Sequence, residues 1–205
     1  MEKERRIKIA QEAAKLLYYK IARDYKQAKK KACRDLNERI FPSNLEVATE
    51  LDKFADEMEG KTRRMLNIRL RQESLHIMEH LKEFNPRLIG GVWRGTAKKG
   101  SDIDITVYSY NIESVYNIIE RKYNILKAKY SYKTAKGKTE KYYHIYILLA
   151  SGDEVEVVVK DLTYMNEKRR CEIYGDNITG FTIEQLQKIL DTDPTKKLIP
   201  KWKVK

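Results

Sequence analysis

Along the first 84 residues apolar positions recur every three or four residues, and after that they tend to alternate or run together. A period near 3.6 marks one face of a helix, and a period of 2 marks a half-buried strand. Ile7, Ala10, Ala14, Leu17, Ile21, Ala28 and Ala32 predict one long amphipathic helix over residues 2–38. A second helix is predicted from Ser43, which with Glu46 fits a capping box, through Val47, Leu51, Phe54 and Met58 to Gly60. A third is predicted over 61–84 on Met65, Ile68, Leu75, Met78 and Leu81, ending at Asn85-Pro86.

Alternation then takes over. Strands are predicted at 87–89 and 102–108, a helix at 111–121, two long β runs at 123–134 and 139–150 joined by Ala135-Lys136-Gly137-Lys138, and a third run at 154–160 after Ser151-Gly152-Asp153. A helix near 163–171 and a last one capped by Thr182 and Gln185 and running through Leu190 complete the reading. The pattern predicts an α+β protein, with a helical bundle as accessory domain over 1–84 and a mixed sheet flanked by helices over 85–205. The basic tail 196–205, with Trp202, is expected to be loosely held.

The chain has 205 residues, enough to bury a core, and no apolar run long enough to span a membrane. Its charged start does not suit a secretory signal. Two cysteines, Cys33 and Cys171, rule out a disulfide framework, so the expected compartment is the cytoplasm. The net charge is +12, of which residues 85–150 contribute +7, a field suited to a polyanion such as a nucleoside triphosphate or a nucleic acid. Abundant Lys, Glu, Ile and Tyr with few Gln also suits a thermophile surface. The lysines of the first helix, Lys26 to Lys31, read as a solvated face. Eight basic residues interleaved with Tyr123, Tyr130 and Tyr132 between Arg121 and Lys141 read equally as a ribbon for single-stranded nucleic acid or as a lysine-guarded edge hairpin.

The candidate chemistry is concentrated at 88–105, LIGGVWRGTAKKGSDIDI. In the last part Ile103 and Ile105 fall on one face of a strand and Asp102 and Asp104 on the other, so the two carboxylates can converge on shared cations, about 7 Å apart at their Cα atoms. Such pairs repel, and a hard divalent ion bound by oxygen relieves the repulsion. Gly90 and Gly91, lacking a Cβ, let backbone N–H groups approach a phosphate. His76-Ile77-Met78-Glu79-His80 fits the His-x-x-Glu-His zinc pattern, but both histidines lie off the apolar stripe and read as exposed side chains.

Ile89-Gly90-Gly91, Arg94-Gly95 and Ser101-Asp102-Ile103-Asp104, followed by an acid in the apolar run Glu154-Val155-Glu156-Val157-Val158-Val159, resemble the signature of the DNA polymerase β-like nucleotidyltransferase superfamily, in particular its small stand-alone members. The resemblance covers about residues 85–160. It implies a transferase that moves a nucleoside monophosphate from a nucleoside triphosphate, such as ATP, to a hydroxyl acceptor and releases pyrophosphate. It implies two magnesium ions, with manganese as an alternative, held by Asp102, Asp104 and Glu156. Glu154 shares the strand face of Glu156 and remains the alternative third acid; Glu156 is preferred because the family's third acid commonly follows an acid-apolar pair. Gly90, Gly91, Ser101, Arg94, Lys98 and Lys99 would hold the phosphates. An RNA or tRNA acceptor suits the charge. The competing reading is a catalytically inactive nucleic-acid-binding module on the same scaffold. The sequence carries no signal of oligomeric state.

Overall fold

The computed structural model describes residues 2–135 and 138–200. Residues 136–137 of the expected hairpin connection and residues 201–205, with Trp202, lie outside the described residues; the described part of the tail is held rather than loose, Lys196 and Leu198 accepting from Arg71 and Arg94 through their carbonyls. The class is α+β, as the periodicity predicts. The chain divides into two compact units: residues up to Arg63 with Cys171–Asp176, and Arg64–Arg170 with Asn177–Ile199. The division falls inside the helix that follows Gly60.

In the first unit the single long helix predicted over 2–38 is two helices, α1 (Glu2–Tyr18) and α2 (Tyr25–Asp35). The break has a local cause. Lys20 takes a left-handed φ of 57°, and Ile21 N–H returns to Leu16 C=O. Asp24 then caps α2 by accepting from Gln27 N–H at 2.8 Å, while Arg23 N–H donates to the Gln27 side chain. Ile21, expected on the buried stripe, is 57% exposed. The helices pack through small side chains, Ala10 and Ala13 of α1 against Ala28 and Ala32 of α2, with Ile9, Leu16 and Val47 filling the space. The capping box of α3 (Asn44–Glu59) forms as expected: Glu46 N–H donates to Ser43 Oγ and Ser43 N–H to Glu46 Oε2. Arg63, buried, pairs with Asp52 and Asp56 of α3 at 2.7 and 2.6 Å.

α4 (Lys61–His80) stops four residues short of the expected end and is followed by a 3-10 turn at Lys82–Phe84. Its buried face differs from the apolar stripe read in the sequence. Met65 is 66% exposed, and the inward positions include Asn67, Arg71 and Ser74. Arg71 is enclosed and satisfies four backbone carbonyls, those of Val92, Trp93, Pro194 and Lys196. Burial pulls its guanidinium down to about 10.

The second unit is built on a five-stranded mixed sheet of order β1-β2-β5-β4-β3, with β1 Arg87–Ile89, β2 Ile103–Tyr108, β3 Asn124–Ala135, β4 Lys138–Leu148 and β5 Glu154–Lys160. β2 and β5 run parallel and the other neighbours antiparallel. Ile103, Ile105 and Val107 of β2, Val155, Val157 and Val159 of β5, and Ile145 and Ile147 of β4 are buried together with Leu70, Ile77 and Met78 of α4, Val115 and Ile119 of α6 (Ile112–Glu120), and Leu186 of α7 (Ile183–Thr192). Alternation sends Asp104, Glu156, His144 and Tyr146 to the other face. The helix expected at 163–171 is instead a 3-10 turn, Leu162–Tyr164, followed by irregular chain. Beyond Leu162 and Met165 that stretch is the polar run Asn166 to Arg170, which has no apolar face to bury.

Replacing Arg71 by Met is expected to leave those carbonyls unpartnered and lower the unfolding free energy by about 3 kcal/mol or more. Thermal and denaturant melts followed by circular dichroism read this directly, and Arg71→Lys is expected to rescue little because one ammonium cannot replace the planar fork.

Candidate functional site

The site is positioned by the parallel pairing of β2 with β5. Its register sets Asp104 opposite Glu156, and both side chains lie on the face turned from the core. Asp102 stands one residue before β2 and is exposed, while Asp104 is half-buried. Burial, followed by the charges of Asp102 and Glu156, pushes the Asp104 carboxyl up to about 7. Glu154 occupies the first position of β5, opposite Leu148 of β4, and is exposed. It is absent from the charges that act on Asp104.

Glu156 is held from the neighbouring strand. His144 Nδ1 donates to Glu156 Oε1 at 2.8 Å, and His144 Nε2 lies 2.6 Å from Ser131 Oγ on β3. The Tyr146 hydroxyl also hydrogen-bonds Glu156, and burial together with that carboxylate pushes the phenol up to about 12. Lys127 and Lys129 of β3 place their ammonium groups 4.4 and 5.5 Å from the Tyr146 ring centroid. His144, Tyr146 and Ser131 were not singled out from the sequence. Their signal is the alternation Tyr142, His144, Tyr146, which acquires meaning only when β4 is known to pair with β5.

β1 delivers the chain to Gly90, which opens the short helix α5 (Gly90–Arg94) rather than an open turn. Gly90 has φ +71°, and a Cβ there would stand 2.0 Å from Asp104 Oδ2, so this position needs glycine both for its backbone and for the carboxylate beside it. Gly91 has room: its nearest neighbour to a built Cβ is Ala97 Cα at 3.6 Å. Ser101 closes a turn in which its Oγ accepts from Lys98 N–H at 3.0 Å and its N–H donates to Lys98 C=O at 2.9 Å. Lys98 is half-buried and Lys99 exposed. Arg94 is placed differently from the surface cation a phosphate site needs. It is 5% exposed, its Nη1 donates to Leu198 C=O at 2.9 Å, and its guanidinium lies 4.4 Å from the Trp93 ring centroid. His76 and His80 stack edge to face at 4.5 Å, and His80 Nδ1 lies 2.7 Å from the Tyr123 hydroxyl.

The donor chemistry suits a hard divalent cation: the Asp104 carboxyl, raised first by its own burial, is raised further by the charges of Asp102 and Glu156. Among the described residues no three His, Cys, Asp or Glu side chains already stand in a ligating group, and Glu156 is oriented by His144 and Tyr146 instead. No helix among the described residues is long and apolar enough to cross a membrane.

The family model described as "Domain of unknown function (DUF4269)" matches residues 71–179, the span that holds the whole site. No curated protein matches the chain. Among solved structures, one of a cytoplasmic RNA terminal U-transferase is similar at a TM-score of 0.31 and 14% identity, over 54% of this chain and 35% of that one. The chain thus spans about a third of that protein's length, and a likeness of this degree bears on neither activity nor substrate.

Two outcomes are expected. Gly90→Ala loses about 1 kcal/mol to backbone strain plus the displacement of Asp104, whereas Gly91→Ala melts within about 1 kcal/mol of the parent. The folded-state pKa of Asp104 lies above its ordinary value of 3.8, so the metal-free protein loses stability as pH rises from about 4 through 7. In a chelating buffer Asp104→Asn is therefore expected to melt higher than the parent at pH 8, by up to ~3 kcal/mol, with the difference vanishing near pH 4.

Proposed function

We propose that this chain, which belongs to the DUF4269 family, is a metal-dependent nucleotidyltransferase that moves a nucleoside monophosphate from a nucleoside triphosphate to a hydroxyl acceptor. The observation that carries the reading is the register that sets Asp104 beside Glu156, with Asp104 packed on Gly90. A carboxylate cluster against a glycine at the start of a helix is an arrangement in which an anion and its cations can be held side by side.

In the reaction proposed, the acceptor hydroxyl attacks the α-phosphate and pyrophosphate departs. Asp102, Asp104 and Glu156 would hold two Mg²⁺ or Mn²⁺ ions, which when bound supply charge stabilisation at the attacking and leaving oxygens. His144 and Tyr146 fix the Glu156 carboxylate so that one of its oxygens keeps a set direction. Gly90 and Gly91 offer first-turn N–H groups to the phosphates, since these lack intrahelical acceptors. The Ser101 hydroxyl, whose oxygen already accepts from Lys98 N–H, has its hydrogen left to donate. Lys98 and Lys99 add positive charge, while Arg94 serves the packing of its own unit. Lys127 and Lys129, on the same sheet face as the acids, supply the charge that suits an RNA acceptor.

The test is incorporation of labelled nucleoside triphosphates into total RNA with Mg²⁺. Asp104→Asn and Glu156→Gln are each expected to lower label uptake by at least about a hundredfold while the fold persists, Glu154→Gln to leave it unchanged, and His144→Gln to lower it by about ten- to a hundredfold. Binding of RNA that is sensitive to salt but indifferent to Mg²⁺, with no transfer to any acceptor, would make the chain a binding module and defeat the proposal.

A further inference from the structure

At the far end of β4 and β5 lies a cavity of about 430 Å³, lined from the open face by Lys160 and Tyr142 and from the other by Val159 and Lys141, that the transfer chemistry does not use. Ser109 stands at its edge, and Tyr110 and Tyr164 flank it from the following loops. Lys160 ends β5 on the same face as Glu156, four residues and about 13 Å away along the strand.

Two other cations nearby have partners. Arg169 is engaged by Glu140 and Glu167 at 2.9 and 2.7 Å, and Lys141 sits 3.9 Å over the Tyr130 ring. Among the described residues the Lys160 ammonium makes neither a hydrogen bond nor an ion pair. Its ammonium rests 5.7 Å from the Tyr142 ring centroid, which is the edge of cation–π range. Burial, then the Arg169 charge, pulls it down to about 8. The acid on the cavity wall, Asp161, has one carboxylate oxygen taken by Thr163 N–H and Oγ1 at 2.9 and 2.7 Å. Glu167 and Glu140 act on this ammonium only from a distance, both being engaged by Arg169, and a half-buried cation with no ion pair of its own inside a cavity is the feature an anion would complete.

The walls narrow the class of anion. Tyr142 and Tyr164 stand with ring centroids 6.3 Å apart, and Tyr110 is 70% exposed at the mouth. Aromatic faces accept any base by stacking, and a cavity of this size suits a small ring-bearing ligand. We propose that this cavity binds a nucleoside monophosphate unit, its phosphate on Lys160 and its base against Tyr110 and Tyr164, since Tyr142 is buried beneath Arg169. Resting on the transferase reading, the unit is an acceptor-strand nucleotide, held on the sheet face that leads to Glu156.

Equilibrium dialysis of labelled nucleoside monophosphates and of a pentaribonucleotide, in EDTA, tests this with the full chain. The parent and Asp104→Asn are expected to bind alike, Lys160→Met to bind about tenfold or more weakly, and Lys160→Arg to retain binding. Lys160→Met is expected to keep Mg²⁺-dependent triphosphate binding, which checks that it is folded. A pentanucleotide that binds more tightly than the monophosphate identifies a strand as the source, and equal affinity identifies the free nucleotide; either supports the cavity. No binding by the parent, binding unaffected by Lys160→Met, or full competition by inorganic phosphate at equal concentration would overturn it. Lys160-dependent binding in a protein that transfers no label would leave the cavity assigned and remove the transferase reading.

Discussion

The parallel register between β2 and β5 is the constraint on which the site depends. Ile103, Ile105 and Val107 on one strand and Val155, Val157 and Val159 on the other all enter the core. A one-residue slip would turn three of those side chains outward and three polar ones inward, at roughly 1.5–3 kcal/mol for each apolar side chain lost from the interior. The acids are therefore brought together by burial of the residues between them. Their mutual repulsion opposes the arrangement, and the valines and isoleucines override it.

A slip by two residues would preserve the faces and set Glu154 against Asp104, so burial alone does not select between the two glutamates. The turn before β5 fixes that strand against β4, and a bond at its far end ties it to β2. Leu149 N–H bonds to Asp153 C=O at 3.0 Å, Gly152 N–H bonds to Leu149 C=O at 2.9 Å, and Gly152 takes φ +85°. This ties the start of β5 to the end of β4, with Leu148 opposite Glu154. Asp153 is in turn held by Arg69 of α4. With the hairpin set, Ser109 N–H meets Lys160 C=O at the far end, and Asp104 falls opposite Glu156.

What was legible in the sequence follows the same physics. Alternation located all five strands, because each has one buried face, and β5 lies at its expected limits. The capping boxes at Ser43 and Thr182 are local and formed as read. The helix break at Lys20 escaped because apolar spacing carries across a short left-handed turn, although Asp24 and Gln27 hold a cap signal. The inward face of α4 escaped for another reason. Arg71 and Asn67 are buried to satisfy carbonyls of Val92, Trp93 and Ala97, partners more than twenty residues away, and no periodicity of apolar residues reports such a demand. Arg94 has the same history, with its partner at Leu198. The row Ser131, His144, Glu156 is a product of strand order, which the single chain does not display.

Asp104 and Gly90 show how closely the fold and the candidate chemistry are joined. A carboxylate at that depth beside two others opposes folding, and its neighbour must be a residue without a Cβ, itself an entropic liability in the unfolded chain. Neither feature helps the sheet stand, since an apolar pair would fill the same space with less conflict. Glu156 carries a third such demand, because His144 and Tyr146 hold it on a face where a free carboxylate would otherwise turn to water. Three such demands stand at adjoining positions on two strands and one helix start, and the cations of the proposed reaction would offset them.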